Sequence, residues 1–255
     1  MKPYPPHLAK QYPSILIAAP TYEGKHYCFE EWLLNIKRFT YPENRVKLLL
    51  ADNSKTNDYA LFLAKEFGIH CVWKDYGKAK PFQRLAYSHE ICREFAVDNK
   101  FDFLLHLETD IFPQPDIIEQ LLWCSKPVVS ALYSIGGGAN RLPVDIYFDE
   151  GGKFDNNFMP ARTTATNELS GFLKGNALKR VFNAGLGCAL IRRDILQNIP
   201  FRYEEGSEGA PDTHFAMDLL ERKIPVYVNL DLIAYHEQES NWGAHVLHMD
   251  YFKSK

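Results

Sequence analysis

Long apolar runs are missing from this 255-residue chain. Its apolar stretches, such as Ile15 to Pro20, are strand-length, far short of the roughly 20 residues that a membrane span needs. The opening residues, MKPYPPHLAKQYP, lack the apolar core of a secretory signal. Cysteine is sparse. Cys28, Cys71, Cys92, Cys124 and Cys188 are scattered, odd in number and never closely paired. That argues against a disulfide scaffold and against a cysteine zinc site, and the expectation is a reducing, cytoplasmic setting. Net charge is also small, at -3, so no global field draws the chain to nucleic acid or an anionic membrane as its main partner.

What is present is an ordinary globular composition, 46% hydrophobic and 24% charged. The length is near the upper end for one domain and allows a sizeable core, so residues 1–255 are expected to form a single domain. Short continuous apolar runs alternate with amphipathic stretches. Strands are expected at Ile15 to Ala19, Val46 to Ala51, His70 to Trp73, Phe103 to Leu107 and Val128 to Tyr133. Helices are expected at Phe29 to Phe39, Tyr59 to Phe67, Phe82 to Val97 and Ile117 to Trp123. This texture predicts an α/β fold with a mostly parallel sheet covered by helices on both faces.

From Gly136 to about Arg180 the chain turns rich in Gly, Asn and Thr, with a hairpin signal from Val144 to Lys153. The expectation for 134–180 is a variable loop or hairpin insertion, of the kind that serves as a lid. Lys153, Arg162, Lys174, Lys179 and Arg180 make it locally basic. A solvated loop explains that, although an anionic acceptor, nucleic acid included, is left open. Order resumes with a strand at Gly185 to Ile191, a helix at Asp212 to Arg222 and a last strand at Val226 to Tyr235. Residues 238–255 read as a tail, in which His245 and His248 fit a packed or solvated helix better than a metal site.

Ligands of open parallel sheets bind beyond the C-terminal ends of the strands. The polar groups expected there are Pro20-Thr21-Tyr22, Asp52-Asn53-Ser54, Glu108-Thr109-Asp110 and Tyr235-His236-Glu237. Glu108 and Asp110, two apart just past a strand, can turn toward one hard cation, and His236 adds a nitrogen that suits Mn²⁺. Each piece alone also has a plainer role: Asp52 as a turn former, Asp212 as a helix cap, His236 as a packed ring. Gly24-Lys25 is not a phosphate-binding P-loop, because Ala19 and His26 stand where that motif needs Gly and Ser or Thr. Gly136 to Gly138 lacks the spacing of a dinucleotide fingerprint.

Taken in order along the chain, these pieces resemble the glycosyltransferases of the GT-A fold, most closely the large inverting family-2-like group. ILIAAPTYEG is similar to that group's first strand and its P-T-Y turn, and KLLLADNSKTND to the strand whose D-N-S turn contacts the nucleobase. GKAKPFQR is a loose counterpart of the segment that approaches the nucleotide. FLLHLETDIFPQPDII resembles the metal-binding D-x-D region, with Glu108 in place of the first Asp. LGCALIRRDIL and PDTHFAMDLLERKIPVYVNLDLIAYHE resemble the closing half, with its acidic residue at a helix start and its metal-binding His.

The resemblance implies a metal-dependent sugar transferase, inverting in stereochemistry, using a UDP- or GDP-sugar donor, an acceptor that stays unidentified, and Mn²⁺ or Mg²⁺. It implies donor binding by Pro20, Thr21, Tyr22, Asp52, Arg84 and Thr109. Metal binding falls to Glu108, Asp110 and His236, and general base catalysis to Asp212. Two other readings stand beside it: a nucleotidyltransferase, and a non-catalytic nucleotide- or sugar-binding module of the same fold.

Overall fold

The computed structural model describes residues 12–133, 176–207 and 209–237. The expected hairpin at 144–153, most of the 134–180 insertion and the tail with His245 and His248 lie outside these residues.

The core is one eight-stranded sheet. Its strands are β1 (Ile15–Thr21), β2 (Val46–Asp52), β3 (His70–Trp73), β4 (Phe103–Leu107), β6 (Val128–Leu132), β7 (Leu178–Val181), β8 (Cys188–Arg192) and β9 (Val226–Ile233). They lie in the order β3-β2-β1-β4-β8-β6-β9-β7. β1, β2, β3 and β4 are parallel to one another. β8 is antiparallel to both β4 and β6, so β6 runs with β4, and β9 is parallel to β6. Only β7 and β8 therefore oppose the rest. A separate two-stranded ladder joins β5 (Ile111–Phe112) antiparallel to β10 (Tyr235–His236).

The period-two geometry of a strand sorts β1 between two cores. Ile15 and Ile17 face one hydrophobic cluster, which takes Phe29, Trp32 and Leu33 of α1 (Phe29–Ile36), residues of α2 (Asp58–Phe67) and residues of α4 (Ile117–Trp123). Leu16 and Ala18 face the other, covered by α3 (Pro81–Asp98), α5 (Arg193–Asn198) and α6 (Pro211–Glu221). Burying each Leu or Ile side chain in these layers contributes about 1.5–3 kcal/mol. Local signals set the helix limits. Pro81 and Pro211 begin α3 and α6, where the missing N–H costs nothing. Gly68 ends α2 in the left-handed region at φ 66°.

The structure corrects several expected boundaries. The last expected strand is two elements, β9 and β10, interrupted at Ala234. Leu178–Val181, placed at the end of the irregular stretch, is instead the edge strand β7, antiparallel to β9. The expected strand at 185–191 begins only at Cys188, because Gly185 adopts φ 65° and breaks the extended run.

Candidate active site

The strand ends do share one rim, because β1, β2, β4 and β9 run the same way. A cavity of about 530 Å³ opens there. Its walls come from Pro20, Thr21 and Tyr22 at the end of β1, from Asn53, Ser54 and Lys55 after β2, from Pro81, Phe82, Arg84 and Leu85 at the start of α3, and from Glu108, Thr109 and Asp110 after β4. Thr21 and Thr109 join the two central strand ends through their hydroxyls, 3.4 Å apart. Tyr22 and Phe82 line the cavity while each stays 43% exposed, so two aromatic rings are available to a planar ligand. Gly24 lies under the Tyr22 ring, where a Cβ would come 2.2 Å from Cε2; only glycine leaves that ring its place. Arg84 Nε is buried without a hydrogen-bond partner, a donor suited to an anion.

Asp52 is not on the cavity wall. β2 runs one residue further than expected, and Asp52 pairs with Thr21 and Trp73 in the sheet. Its side chain is fully buried, and Oδ1 accepts the Ser54 N–H at 2.9 Å and the Ser54 hydroxyl at 2.5 Å. Ser54 in turn accepts the Glu23 N–H on Oγ at 3.0 Å and the Trp73 Nε1–H on its carbonyl at 3.0 Å. Burial pushes the Asp52 pKa up while the bonds from Ser54 oppose it. Asp52 thus shapes the 53–55 wall from behind, and Asn53, Ser54 and Lys55 face the cavity in its place.

Asp110 and His236 come together from opposite ends of the chain. The β5–β10 ladder sets His236 opposite Ile111, and the Glu237 N–H donates to the Asp110 carbonyl at 2.8 Å. His236 Nε2 then lies 3.2 Å from Asp110 Oδ2. The Lys25 ammonium, on the turn after β1, forms an ion pair with the same Oδ2. Burial alone would raise the Asp110 pKa, but the His236 hydrogen bond and the Lys25 charge hold it below the usual carboxylate range. Glu108 goes the other way: burial and then the neighbouring Asp110 charge push it up to about 7.

Among the described residues no three of His, Cys, Asp and Glu already surround a common point for a metal. The donor chemistry nevertheless fits a hard divalent ion. Asp110 Oδ1 is buried with no hydrogen-bond partner, an imidazole sits beside the same carboxylate, and at Glu108 burial and the Asp110 charge outweigh the opposing charges of Lys25 and His236.

Asp212 is not part of the cavity lining. It occupies the first turn of α6, where Oδ1 accepts the Thr213 N–H at 2.8 Å and Oδ2 accepts the Asn183 amide at 3.4 Å. Its charge still acts on Glu108 and on Tyr133, so it lies near the Glu108 carboxylate.

Comparison with solved structures supplies the remaining observation. The chain superimposes on GalNAc-T7, solved with UDP, GalNAc and Mn²⁺, with a TM-score of 0.63 at 11% identity, covering 90% of this chain and 44% of that one. It matches the mannosyltransferase PcManGT from Pyrobaculum calidifontis, solved with GDP-Man and Mn²⁺, with a TM-score of 0.59 at 15% identity, covering 92% and 59%. It matches S. aureus TarS with a TM-score of 0.55 at 11% identity, covering 88% and 37%. The fold is GT-A. The chain spans between 37% and 59% of the length of these three proteins. No protein-family model matches the sequence, and no curated protein matches it.

Sequence reasoning missed Lys25, Lys55 and Phe82, and placed Glu237 on the rim without a role. Glu237 is fully buried, and its Oε2 accepts the Tyr235 hydroxyl at 2.5 Å, which stiffens the strap that carries His236. The Y-H-E run held a signal for it, since an acidic residue beside a short buried strand needs a partner. Lys25 had no comparable signal, because its meeting with Asp110 spans 85 residues.

Proposed function

We propose that this chain transfers a sugar from a nucleotide-diphospho-sugar, with UDP or GDP as the nucleotide, to an acceptor hydroxyl. The observation that carries the reading is the single cavity that collects the ends of β1, β2 and β4 with the start of α3, and ends on the Asp110–His236 pair. Its about 530 Å³ suits a nucleotide. Tyr22 and Phe82 offer faces to the base, Asn53 and Ser54 offer polar atoms, and Arg84 offers its guanidinium to the diphosphate. PcManGT and GalNAc-T7, which share the fold, were solved with nucleotides of these two kinds and Mn²⁺.

In the transfer, the bond from the anomeric carbon to the diphosphate oxygen breaks and the electron pair leaves with the diphosphate. The acceptor oxygen forms the new bond on the opposite face, with inversion, and its proton passes to Asp212. Glu108, Asp110 and His236 would hold Mn²⁺ or Mg²⁺, which would supply positive charge to the departing diphosphate. The start of α6 stabilises the Asp212 carboxylate as the anion, so it works on a proton already being released. Asn183 orients it through the 3.4 Å contact.

The five cysteines are free thiols, which supports a reducing, cytoplasmic setting. No helix among the described residues is long and apolar enough to cross a membrane. The direct test is release of UDP or GDP from a panel of nucleotide-sugars in Mn²⁺. Slow hydrolysis of one donor, lost in Asp110→Asn, is the expected result. No release from any donor, together with no nucleotide binding, overturns the reading.

A further inference from the structure

Asp110 is fully buried and carries two different oxygens. Oδ2 holds both His236 and the Lys25 ammonium, while Oδ1 has no hydrogen-bond partner at all. Lys25 itself lines the cavity, with its side chain 29% exposed. It sits on the short 3₁₀ turn Glu23–Cys28 that follows β1, so a flexible stem carries its charge from the cavity edge to the cavity floor. The ammonium therefore sits on the Asp110 oxygen that meets His236, where its charge would oppose a divalent ion drawing on either Asp110 oxygen.

We propose that Lys25 is a positioning residue that guards the metal position and changes partner when the donor arrives. This rests on the donor reading given above. With the cavity free of donor, the ammonium neutralises Asp110 and keeps metal affinity low. Two cations on one carboxylate oxygen repel each other strongly even at the effective dielectric of a protein. A nucleoside diphosphate brings the negative charge that lets both cations stay: the metal takes Asp110, and the ammonium swings to the diphosphate oxygens. Metal and nucleotide then bind cooperatively, and the carboxylates do not load metal without donor. No covalent bond forms or breaks in this exchange.

The test compares the full chain as wild type, Lys25→Met and Lys25→Arg, with Lys25→Gln as the second neutral variant should the Met side chain disturb folding. Mn²⁺ is titrated alone, and free Mn²⁺ is read by electron paramagnetic resonance. UDP and GDP binding is measured in parallel. Removing the ammonium should tighten binding of Mn²⁺ alone by about 10-fold or more, whereas Lys25→Arg should stay near wild type. The neutral variants should also lose most of the gain in Mn²⁺ affinity that UDP or GDP gives the wild type. Equal or weaker Mn²⁺ binding in the neutral variants overturns the proposal, and so does a failure of every variant to bind Mn²⁺. A chain that binds UDP or GDP but shows no Lys25 effect loses this proposal alone. A chain that binds neither nucleotide loses the sugar-transfer reading, while the Mn²⁺ comparison still decides the role of Lys25.

Discussion

His236 Nε2 lies 3.2 Å from Asp110 Oδ2 across 126 residues of chain. A two-residue antiparallel ladder produces this contact, with His236 opposite Ile111 and Tyr235 opposite Phe112. The ladder sits directly after the carboxylates that follow β4, so the segment past the last long strand is folded back over Asp110. If the pair holds the metal, His236→Ala and Asp110→Asn should each weaken Mn²⁺-dependent binding of a nucleoside diphosphate by about 10- to 100-fold. Nucleotide binding without metal should change much less. Calorimetry with and without Mn²⁺ separates the two, and unchanged affinity in Asp110→Asn removes that residue from the metal site.

Asp52 acts on the cavity through Ser54. Asp52→Ala leaves the Ser54 N–H and hydroxyl without their buried acceptor, a loss of about 1–3 kcal/mol in unfolding free energy. Denaturant unfolding measures it. Nucleotide affinity should fall along with stability, because the 53–55 wall loses its support. A variant that loses affinity at full stability would instead mark Asp52 as a direct ligand contact.

The buried pair of His89 on α3 and His106 on β4 makes stability depend on pH. A carbonyl can only accept, so His106 Nδ1–H donates to the Leu186 oxygen at 2.5 Å, and His106 Nε2 accepts from His89 Nδ1–H at 2.7 Å. Burial holds His106 down at about 4 from 6.5, and burial together with the His106 neighbour holds His89 well below 6.5. Depressed folded values mean that the unfolded chain binds protons first as pH falls. The stability is complete above 6.5 and is lost as pH drops from there toward about 4. His89→Gln keeps an N–H donor for His106 but does not titrate. Its stability should fall less steeply across that window, by up to about 1.4 kcal/mol per pH unit. Equal slopes in wild type and variant would contradict the assignment.

The layered α/β fold was legible because its strands are continuous apolar runs and its helices keep their period. β3 and β4 begin and end where the pattern says. β5, β7 and α5 were not legible, for separate reasons. β5 is two residues long and depends on a partner far along the chain. β7 reads LKRV inside a stretch rich in Gly, Asn and Thr. α5 is a single short helix of six residues. In the cavity, Pro20, Thr21, Tyr22, Glu108, Thr109 and Asp110 were readable as groups at strand ends, and Arg84 only through the family resemblance of GKAKPFQR. Asp52 was readable as a strand-end group too, but its two bonds from Ser54, behind the 53–55 wall, were not. Lys25 became visible only in three dimensions, where a turn after β1 meets a turn after β4.

In the proposed transfer, Asp212 takes the proton of the acceptor hydroxyl. Asp212→Asn keeps the size and the capping oxygen of the side chain, so the start of α6 should hold. Transfer should fall by about 10²- to 10⁴-fold while donor affinity stays near wild type. Asp218 is no substitute, since Arg202 clamps it with two hydrogen bonds of 2.9 Å. Single-turnover transfer measured beside donor affinity decides the point, and near-normal transfer in the variant would show that Asp212 is a helix cap only.

Titration of UDP and GDP into the full chain in the presence of Mn²⁺ tests the central claim most directly. The account predicts saturable binding of at least one of them, close to one nucleotide per chain, clearly weakened by Arg84→Ala and by Asp110→Asn. Absence of binding by both nucleotides, or binding that neither variant changes, would contradict the assignment of this cavity to a nucleotide-sugar.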